Sequence, residues 1–298
     1  MATQIEGTMP LWVAARTLLH ERGDELFRCW ERVLKAFAPE DVHDLRVASR
    51  RLREGLALFA PCYGTDTVKQ LDRRVRKVTR LLGEMRNTDE AILFFNDLAG
   101  ELHPEVLGAL EPFVSRLCKE RKREARRLER GLRKMDVAEL KDYFQRAVNT
   151  LPLFAPPENG ADLFSALSDF ARDSITSRVT AIRDLLPLAR NKDNIEAHHG
   201  LRIMVKHFRY RMEILSCLIG PAYQQCHADM KGYQDVLGRM HDLDVFSDMV
   251  GTAGFAPECE TTIMGAIKAR RESLFEEFSS MLTRIPPDGI ATRVRDRL

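Results

Sequence analysis

Two short segments of this 298-residue chain each occur twice, at an almost constant spacing. The segment that begins at His43 returns at His199, and the segment that begins at Leu82 returns at Leu237, at offsets of 156 and 155 residues. A repeat of this length corresponds to a unit of domain size. The sequence therefore predicts two similar halves, and any fold assigned to one half must also suit the other.

The hydrophobic pattern predicts helices almost everywhere. Apolar residues recur at helical spacing, and alternating β-branched runs are scarce. We expect helices at roughly 10–37, 41–60, 65–83, 89–99, 104–134, 136–149, 161–187, 193–219, 221–238, 242–250, 257–283 and 288–297. A Pro-rich linker, 151–160, separates a more basic first half, 1–150, from a second half, 161–298. The predicted fold is all-α, with two pseudo-symmetric four-helix-type bundles that arise from an internal duplication.

The first repeated segment places cations along one side of a helix. At about 100° per residue, a basic stripe runs beside the apolar face in both copies. The first copy consists of His43, Arg46, Arg50 and Arg53, with Arg51 beside them. The second copy consists of His199, Arg202, Lys206 and Arg209. A solvated charged face is the plain alternative, but such a face usually mixes signs, and only one acid, Asp44, lies among the basic positions of the first copy.

The basic character persists in both copies while neighbouring residues differ, which predicts that both bind the same kind of anion. Arginine suits phosphate in particular, because its planar guanidinium can contact two oxygens at once. The net charge of the chain is only +2, so this basic character is local. Residues 1–150 carry 28 Lys and Arg against 24 Asp and Glu, whereas residues 151–298 carry 18 against 20. The helix of the second half that corresponds to 104–134 keeps only Lys268, Arg270 and Arg271 before it turns acidic, so we expect the second half to bind more weakly.

A second concentration of charge lies between Arg116 and Lys134, where ten Lys and Arg accompany three Glu. On a helix most of these cations share one face, which predicts an extension of the basic track. The contributors are Arg116, Lys119, Arg123, Arg126, Arg127 and Arg130. An exposed helix of coiled-coil type is the alternative, although its charges are usually balanced. Further contributions are expected from Arg76, Lys231, Lys268 and Arg271.

The second repeated segment carries acids at equivalent positions, Asp89 and Asp244. We expect each acid to cap the helix that follows it or to pair with a nearby Arg. The dipeptide His241-Asp242 also leaves a metal-dependent helical phosphohydrolase as a less favoured alternative. Its counterpart in the first half, however, is Arg86-Asn87.

Other patterns limit the remaining classes of function. Six cysteines without C-x-x-C spacing predict reduced thiols rather than a zinc site or disulfides. His43 and His199 lack metal-ligand spacing and have Arg neighbours, and the chain has no phosphate-binding loop of the nucleotide-dependent type. We therefore predict no enzyme, no metal and no cofactor. With no leader or membrane-spanning pattern, a cytoplasmic location is expected.

Together the two motifs resemble those of the CHAD family, the conserved histidine α-helical domain. That family has a His-x-x-Arg-x-x-x-Arg/Lys-x-x-Arg stripe in each half, followed by a Leu-Gly-x-x-Arg-Asp-x-Asp element. The chain departs from the second element at Asn87 and at His241. The resemblance covers nearly the whole chain. It implies two helical bundles whose basic helices line a groove or pore that binds inorganic polyphosphate.

What the resemblance implies is a non-catalytic polyphosphate-binding protein, an accessory or targeting module at polyphosphate granules with polyphosphate-metabolism enzymes as partners. The residues expected to bind are those of the two stripes, the 116–130 track and the four further cations named above. Non-specific nucleic-acid binding is the alternative, although the stripes contain no aromatic residue except Tyr210 on which bases could stack. Membrane binding is not expected, because the stripes lie beside core-facing positions. The oligomeric state is left open.

Overall fold

The computed structural model describes residues 5–151, 153 and 161–298, and its regular structure is helical. The α-helices are α1 (Leu11–Ala36), α2 (Pro39–Leu58), α3 (Thr65–Ala99), α4 (Pro104–Arg133), α5 (Val137–Asn149), α6 (Leu167–Ala189), α7 (Ile195–Ile214), α8 (Ser216–Ile219), α9 (Tyr223–Gly251), α10 (Pro257–Arg284) and α11 (Pro287–Arg295). No strand occurs in these ranges, and an isolated β-bridge joins Pro10 to Ala166. The all-α prediction is confirmed.

The order of packing is alike in the two halves. In the first, α2 packs between α1 and α3, α3 packs on α4, and α5 returns to α1. In the second, α7 packs between α6 and α9, α9 packs on α10, and α11 returns to α6. Across the halves, α2 contacts α7 and α3 contacts α9, and buried side chains of both halves form one continuous core. Apart from Leu151 and Leu153, the predicted linker lies outside the described residues.

Local chemistry sets several helix boundaries. Pro39 occupies the first turn of α2, where its missing N–H is not needed. Asp136 caps α5 by accepting from the Glu139 N–H at 2.8 Å, and Asn194 caps α7 in the same way. Phe37 ends α1 in a left-handed conformation, with φ of 49°. These ends allow adjacent helices to turn back and pack side by side.

Two predicted breaks are wrong, because α3 and α9 each continue through the second repeated segment. The sequence suggested a stop at Gly83 and another near Gly238, but both residues lie inside long helices. A helical glycine costs about 1 kcal/mol, and burial on both sides of it outweighs that cost. Leu82 and Leu237, for example, are almost fully buried. Asp89 and Asp244 therefore lie within helices and cap none.

Two other boundaries differ from the prediction in the second half. Helix α6 begins at Leu167 rather than near residue 161, because the preceding residues pair with the segment before α1. The Leu11 N–H donates to the Ser165 carbonyl at 2.9 Å, and the Leu167 N–H donates to the Met9 carbonyl at 2.9 Å. Helix α7 ends at Ile214, and the short α8 follows it. The backbone pairing ties the start of the first half to the start of the second.

Close packing of α1 on α5 makes Gly23 sensitive to substitution. A Cβ atom at this position would lie 2.3 Å from Cε1 of the buried Phe144 ring. We expect Gly23→Ala to lower the free energy of unfolding by about 1–3 kcal/mol, as overpacking does, in a chemical denaturation experiment. Gly265→Ala is the matched control, since Gly265 lies inside α10 with nothing within 4 Å of its Cβ position. It should gain about 0.5–1 kcal/mol, and equal effects of the two variants would contradict this packing.

Candidate anion-binding site

The contact between α2 and α7 contains two buried carboxylates, Glu54 and Glu213. Basic side chains of the second half bind Glu54, and basic side chains of both halves bind Glu213. Glu54 of α2 has a side chain that is 1% exposed. It accepts from Nε of Arg211 at 2.9 Å and from Nδ1 of His207 at 2.6 Å, both on α7. Arg178 of α6 lies 3.6 Å away. Burial raises the pKa of Glu54, but the His207 hydrogen bond and the charges of Arg211 and Arg178 outweigh it and lower the pKa.

Glu213 of α7 is the second buried carboxylate. It accepts from Nε of Arg51, on α2, at 2.6 Å, from Nε2 of His227 at 2.9 Å, and from Arg209. Arg51 also binds Glu25 of α1 at 2.7 Å. Burial again raises the carboxyl pKa, and the surrounding cations bring it below its ordinary value. Arg51 and Arg209, two of the predicted ligands, are therefore held in ion pairs at the junction of the halves.

Beside this network lie four cations that have no such partners: Arg46 and Arg50 of α2, and Arg202 and Lys206 of α7. We call these four residues the central cluster. Within the described residues, none of them forms an ion pair or a side-chain hydrogen bond, and the buried Nε of Arg202 has no partner. Arg46 is 7% exposed, and the others are half-buried. The structure thus brings together the middle of both predicted stripes.

Burial and mutual repulsion destabilise the charged forms in the central cluster. Burial lowers the pKa of Arg46 to about 10, with further lowering by Arg50 and by Arg86 of α3. Burial lowers the pKa of Lys206 to about 8, with further lowering by Arg50 and Arg202. For Arg202, burial lowers the pKa while Asp242 of α9 opposes the shift. Unpaired, partly desolvated cations of this kind form a site that an anion would stabilise.

A pair of histidines adjoins the cluster on the side of the second half. Nδ1 of His199 lies 3.3 Å from Nδ1 of His241, and the ring centroids are 4.6 Å apart. Burial lowers the pKa of both imidazoles, with Arg202 as the next cause, and the pKa of His241 falls to about 4. Next to them, burial raises the pKa of Asp242 despite the opposing charge of Arg86. His199 therefore lies beside the central cluster.

His43 occupies a different environment from His199. It is exposed and lines a surface pocket between α1 and α2. The pocket is also lined by Arg28, Arg32 and Arg51, together with Glu25 and Asp44. His43 and His199, the first residues of the two copies of the repeat, thus differ in environment, since His43 is exposed and His199 packs against His241.

Several other predicted ligands are held in ion pairs. Arg53 donates to Asp72 at 2.8 Å, with Arg76 at 3.8 Å from the same carboxylate, and Lys231 donates to Asp235 at 2.6 Å. Arg271 donates to Asp244 at 2.5 Å, and in the first half Arg121 donates to Asp89 at 2.8 Å. The two acids of the second repeat therefore pair with arginine, which was one of the two roles expected. These pairs join α10 to α9 and α4 to α3.

The predicted track on α4 lies on the exposed side of that helix. Leu117, Leu128 and Leu132 form its buried face. The exposed cations are Arg116, Lys119, Arg123, Arg126, Arg127 and Arg130. Lys268 of α10 is exposed as well, in a pocket beside Lys192. The structure does not place this track in the central cluster.

The sequence patterns did not identify the acids that bind some of the basic residues and leave others without an ion pair. Glu54 and Glu213 lie next to the basic stripes of α2 and α7 in the sequence, and their partners lie up to 162 residues away. Arg86 was recognised only as part of a motif, yet its charge acts on Arg46, Arg202 and Asp242. The sequence did offer one indication of its importance, because Arg86 occupies the position of the second repeated segment that His241 occupies in the other copy.

The described ranges contain no group of three His, Cys, Asp or Glu side chains that could hold a metal ion. No helix within them has the length and apolarity required to span a bilayer.

A family model, the CHAD domain, matches residues 17–251. The chain belongs to the CHAD domain family. The CHAD domain from the plant Ricinus communis is similar in structure, with a TM-score of 0.60 and 18% identity over 99% of this chain and 94% of that one. PptA from Streptomyces chartreusis is also similar, with a TM-score of 0.67 and 18% identity over 93% of this chain and 99% of that one. No curated protein matches the chain. These likenesses support the all-helical CHAD fold described above.

The buried carboxylate network makes Glu54 the most sensitive residue of the α2–α7 contact. In Glu54→Gln the charges of Arg211 and Arg178 lose their counter-charge, and we expect a loss on the order of 3 kcal/mol in the free energy of unfolding. Glu139→Gln is the control, because Glu139 binds Arg74 at 2.9 Å but its side chain is 61% exposed. It should lose less than about 1 kcal/mol. Equal losses in urea denaturation would show that the buried pair does not hold the halves together.

Proposed function

We propose that this CHAD protein binds inorganic polyphosphate, without catalysis, at the central cluster. The observation that carries the proposal is the set of four partly desolvated cations from both halves that form no ion pair within the described residues. A polyanion would supply direct partners and offset both the burial and the mutual repulsion that lower the pKa values of Arg46 and Lys206. The proposal includes a role as an accessory or targeting module beside polyphosphate-metabolism enzymes at polyphosphate granules.

The surroundings of the cluster favour a repeating anion over a nucleic acid. Single-stranded nucleic acids are usually bound by aromatic platforms beside a basic groove. Tyr210, the aromatic residue of the predicted stripes, is 4% exposed and has the guanidinium of Arg209 over its face at 4.7 Å. It offers no free surface to a base. Polyphosphate presents charge without bases, so it makes no use of such a platform.

Nucleic-acid binding is the second candidate, and the exposed track on α4 is the observation that favours it. Exposed cations attract any polyanion, with a strong dependence on salt. A competition experiment separates the two. With labelled long-chain polyphosphate bound, we expect unlabelled polyphosphate to displace it at a far lower phosphate concentration than single-stranded RNA or orthophosphate, at the same salt. Displacement by RNA at an equal phosphate concentration would refute selectivity for polyphosphate.

Substitutions in the central cluster should change binding and stability in opposite directions. We expect Arg46→Gln with Lys206→Gln to weaken polyphosphate binding by about tenfold or more and to reduce the slope of log affinity against log salt by about 0.7–0.9 per lost phosphate contact. The same variant should unfold with a free energy higher by on the order of 1 kcal/mol, because buried repulsion is removed. Affinity is measured by fluorescence titration and stability by urea denaturation.

Two charge-matched variants complete this test. Lys35→Gln with Arg190→Gln removes two exposed cations elsewhere, and it should change affinity less than twofold. Arg116→Gln with Arg126→Gln removes two cations of the α4 track, and it should weaken binding chiefly at low salt. If the α4 variant loses affinity at physiological salt while the central variant retains it, the proposed site is wrong.

A further inference from the structure

We propose that polyphosphate binding at the central cluster takes up a proton at the His199–His241 pair, so that acidification tightens binding through the second half of the chain. This inference rests on the proposed function and adds a mode of regulation to the same site. It starts from an asymmetry between the halves. Arg86 and His241 occupy equivalent positions of the repeat, and only the histidine can change its charge near neutral pH.

The geometry of the pair limits how many protons it holds without a ligand. With Nδ1 of His199 at 3.3 Å from Nδ1 of His241, one ring can donate to the other only if the second nitrogen carries no proton. Two protonated rings at this distance would face each other with N–H groups and like charges. Without a ligand the geometry therefore allows at most one imidazolium in the pair, and burial together with the charges of Arg202 and Lys206 disfavours even that one. A nearby anion would stabilise it.

Most of the charged groups that act on the pair lower the imidazole pKa values. Burial is the largest cause of the lowered pKa of both imidazoles, and Arg202 and Lys206 of α7 lower it further. On α9, Asp244 opposes the shift at His199, but it is bound to Arg271 of α10. From α3, Arg86 acts on Arg202 and on Asp242 rather than on the imidazoles themselves. From α6, the apolar Leu185 lies against Gly200, next to His199.

A bound polyanion would reverse this balance. Phosphate charges next to Arg202 and Lys206 would neutralise the repulsion and favour an imidazolium, which gains a charge-assisted hydrogen bond to a phosphate oxygen. The free pKa of each imidazole lies below its ordinary value, so the complex binds more protons than the free protein as the pH falls below neutrality. By linkage, affinity rises with falling pH across that window. Lys206, with a free pKa of about 8, is mostly protonated below neutrality, and any contribution that it makes at pH 7.5 is the same in the histidine variants as in the unmodified protein.

The test compares affinities for long-chain polyphosphate at pH 7.5 and pH 5.5 at constant ionic strength. Long chains are used because their end groups, which titrate near neutrality, are few. We expect affinity to be about three- to tenfold higher at pH 5.5 in the unmodified protein. Calorimetry at pH 6 in two buffers of different ionisation enthalpy should show net proton uptake on binding. Circular dichroism at both pH values confirms that the chain stays folded.

Three variants locate the proton. His241→Arg gives the second half the permanent charge that Arg86 gives the first, so the ratio between the two pH values should fall towards one, with tighter binding at pH 7.5. In His199→Asn with His241→Asn the ratio should also fall towards one. His103→Asn, at an exposed position before α4, should keep the full ratio.

The outcomes separate this inference from the function on which it rests. Failure of the unmodified protein to bind polyphosphate at either pH would refute the proposed function. Binding without a pH ratio, or without proton uptake, would refute only the role of the histidine pair. A ratio that persists in the His199→Asn, His241→Asn variant would also refute it, because the proton would then lie elsewhere, with Asp242 as the nearest carboxyl.

Discussion

The structure depends on the contact between α2 and α7, where Glu54 and Glu213 are buried. Arg211 and His207 of α7 bind Glu54, whereas Arg51 of α2 binds Glu213. Burying a carboxylate is costly unless it is paired and hydrogen-bonded, so Glu54 requires the second half, whereas Glu213 has Arg209 and His227 in its own half and gains Arg51 from α2. These contacts between the halves of this CHAD protein help to fix their relative position.

That contact also decides which cations are available to a ligand. The two buried acids, Glu54 and Glu213, lie towards the C-terminal ends of α2 and α7, and they bind Arg51, Arg209 and Arg211. Within the described residues Arg46 and Arg202 form no ion pair, although the charge of Glu90 acts on Arg46 and that of Asp242 on Arg202. Repulsion left in the central cluster costs folding free energy, while the carboxylate pairs at the other end hold the helices together. A ligand with many negative charges regains that free energy when it binds.

The sequence predicted much of the fold and the middle of the site, and it failed where partners are distant. The helical spacing of apolar residues can be read from neighbouring positions of the sequence, so it predicted most helices and the basic stripes of α2 and α7. Gly83 and Gly238 suggested breaks, but burial of neighbours such as Leu82 and Leu237 keeps the helices continuous. Within one stripe, the pattern did not separate Arg50 from Arg53. The difference comes from Asp72 on the next helix.

The α4 track shows that a count of charges along a sequence does not reveal which charges are desolvated. It has the highest density of cations in the chain, yet its side chains are exposed, where water and salt screen them. The central cluster has only four cations, but burial strengthens every interaction that an anion makes with them. Helix periodicity gives the direction in which a charge points, whereas the strength of its field depends on desolvation and on missing counter-charges. Both of those are properties of the contact between the halves.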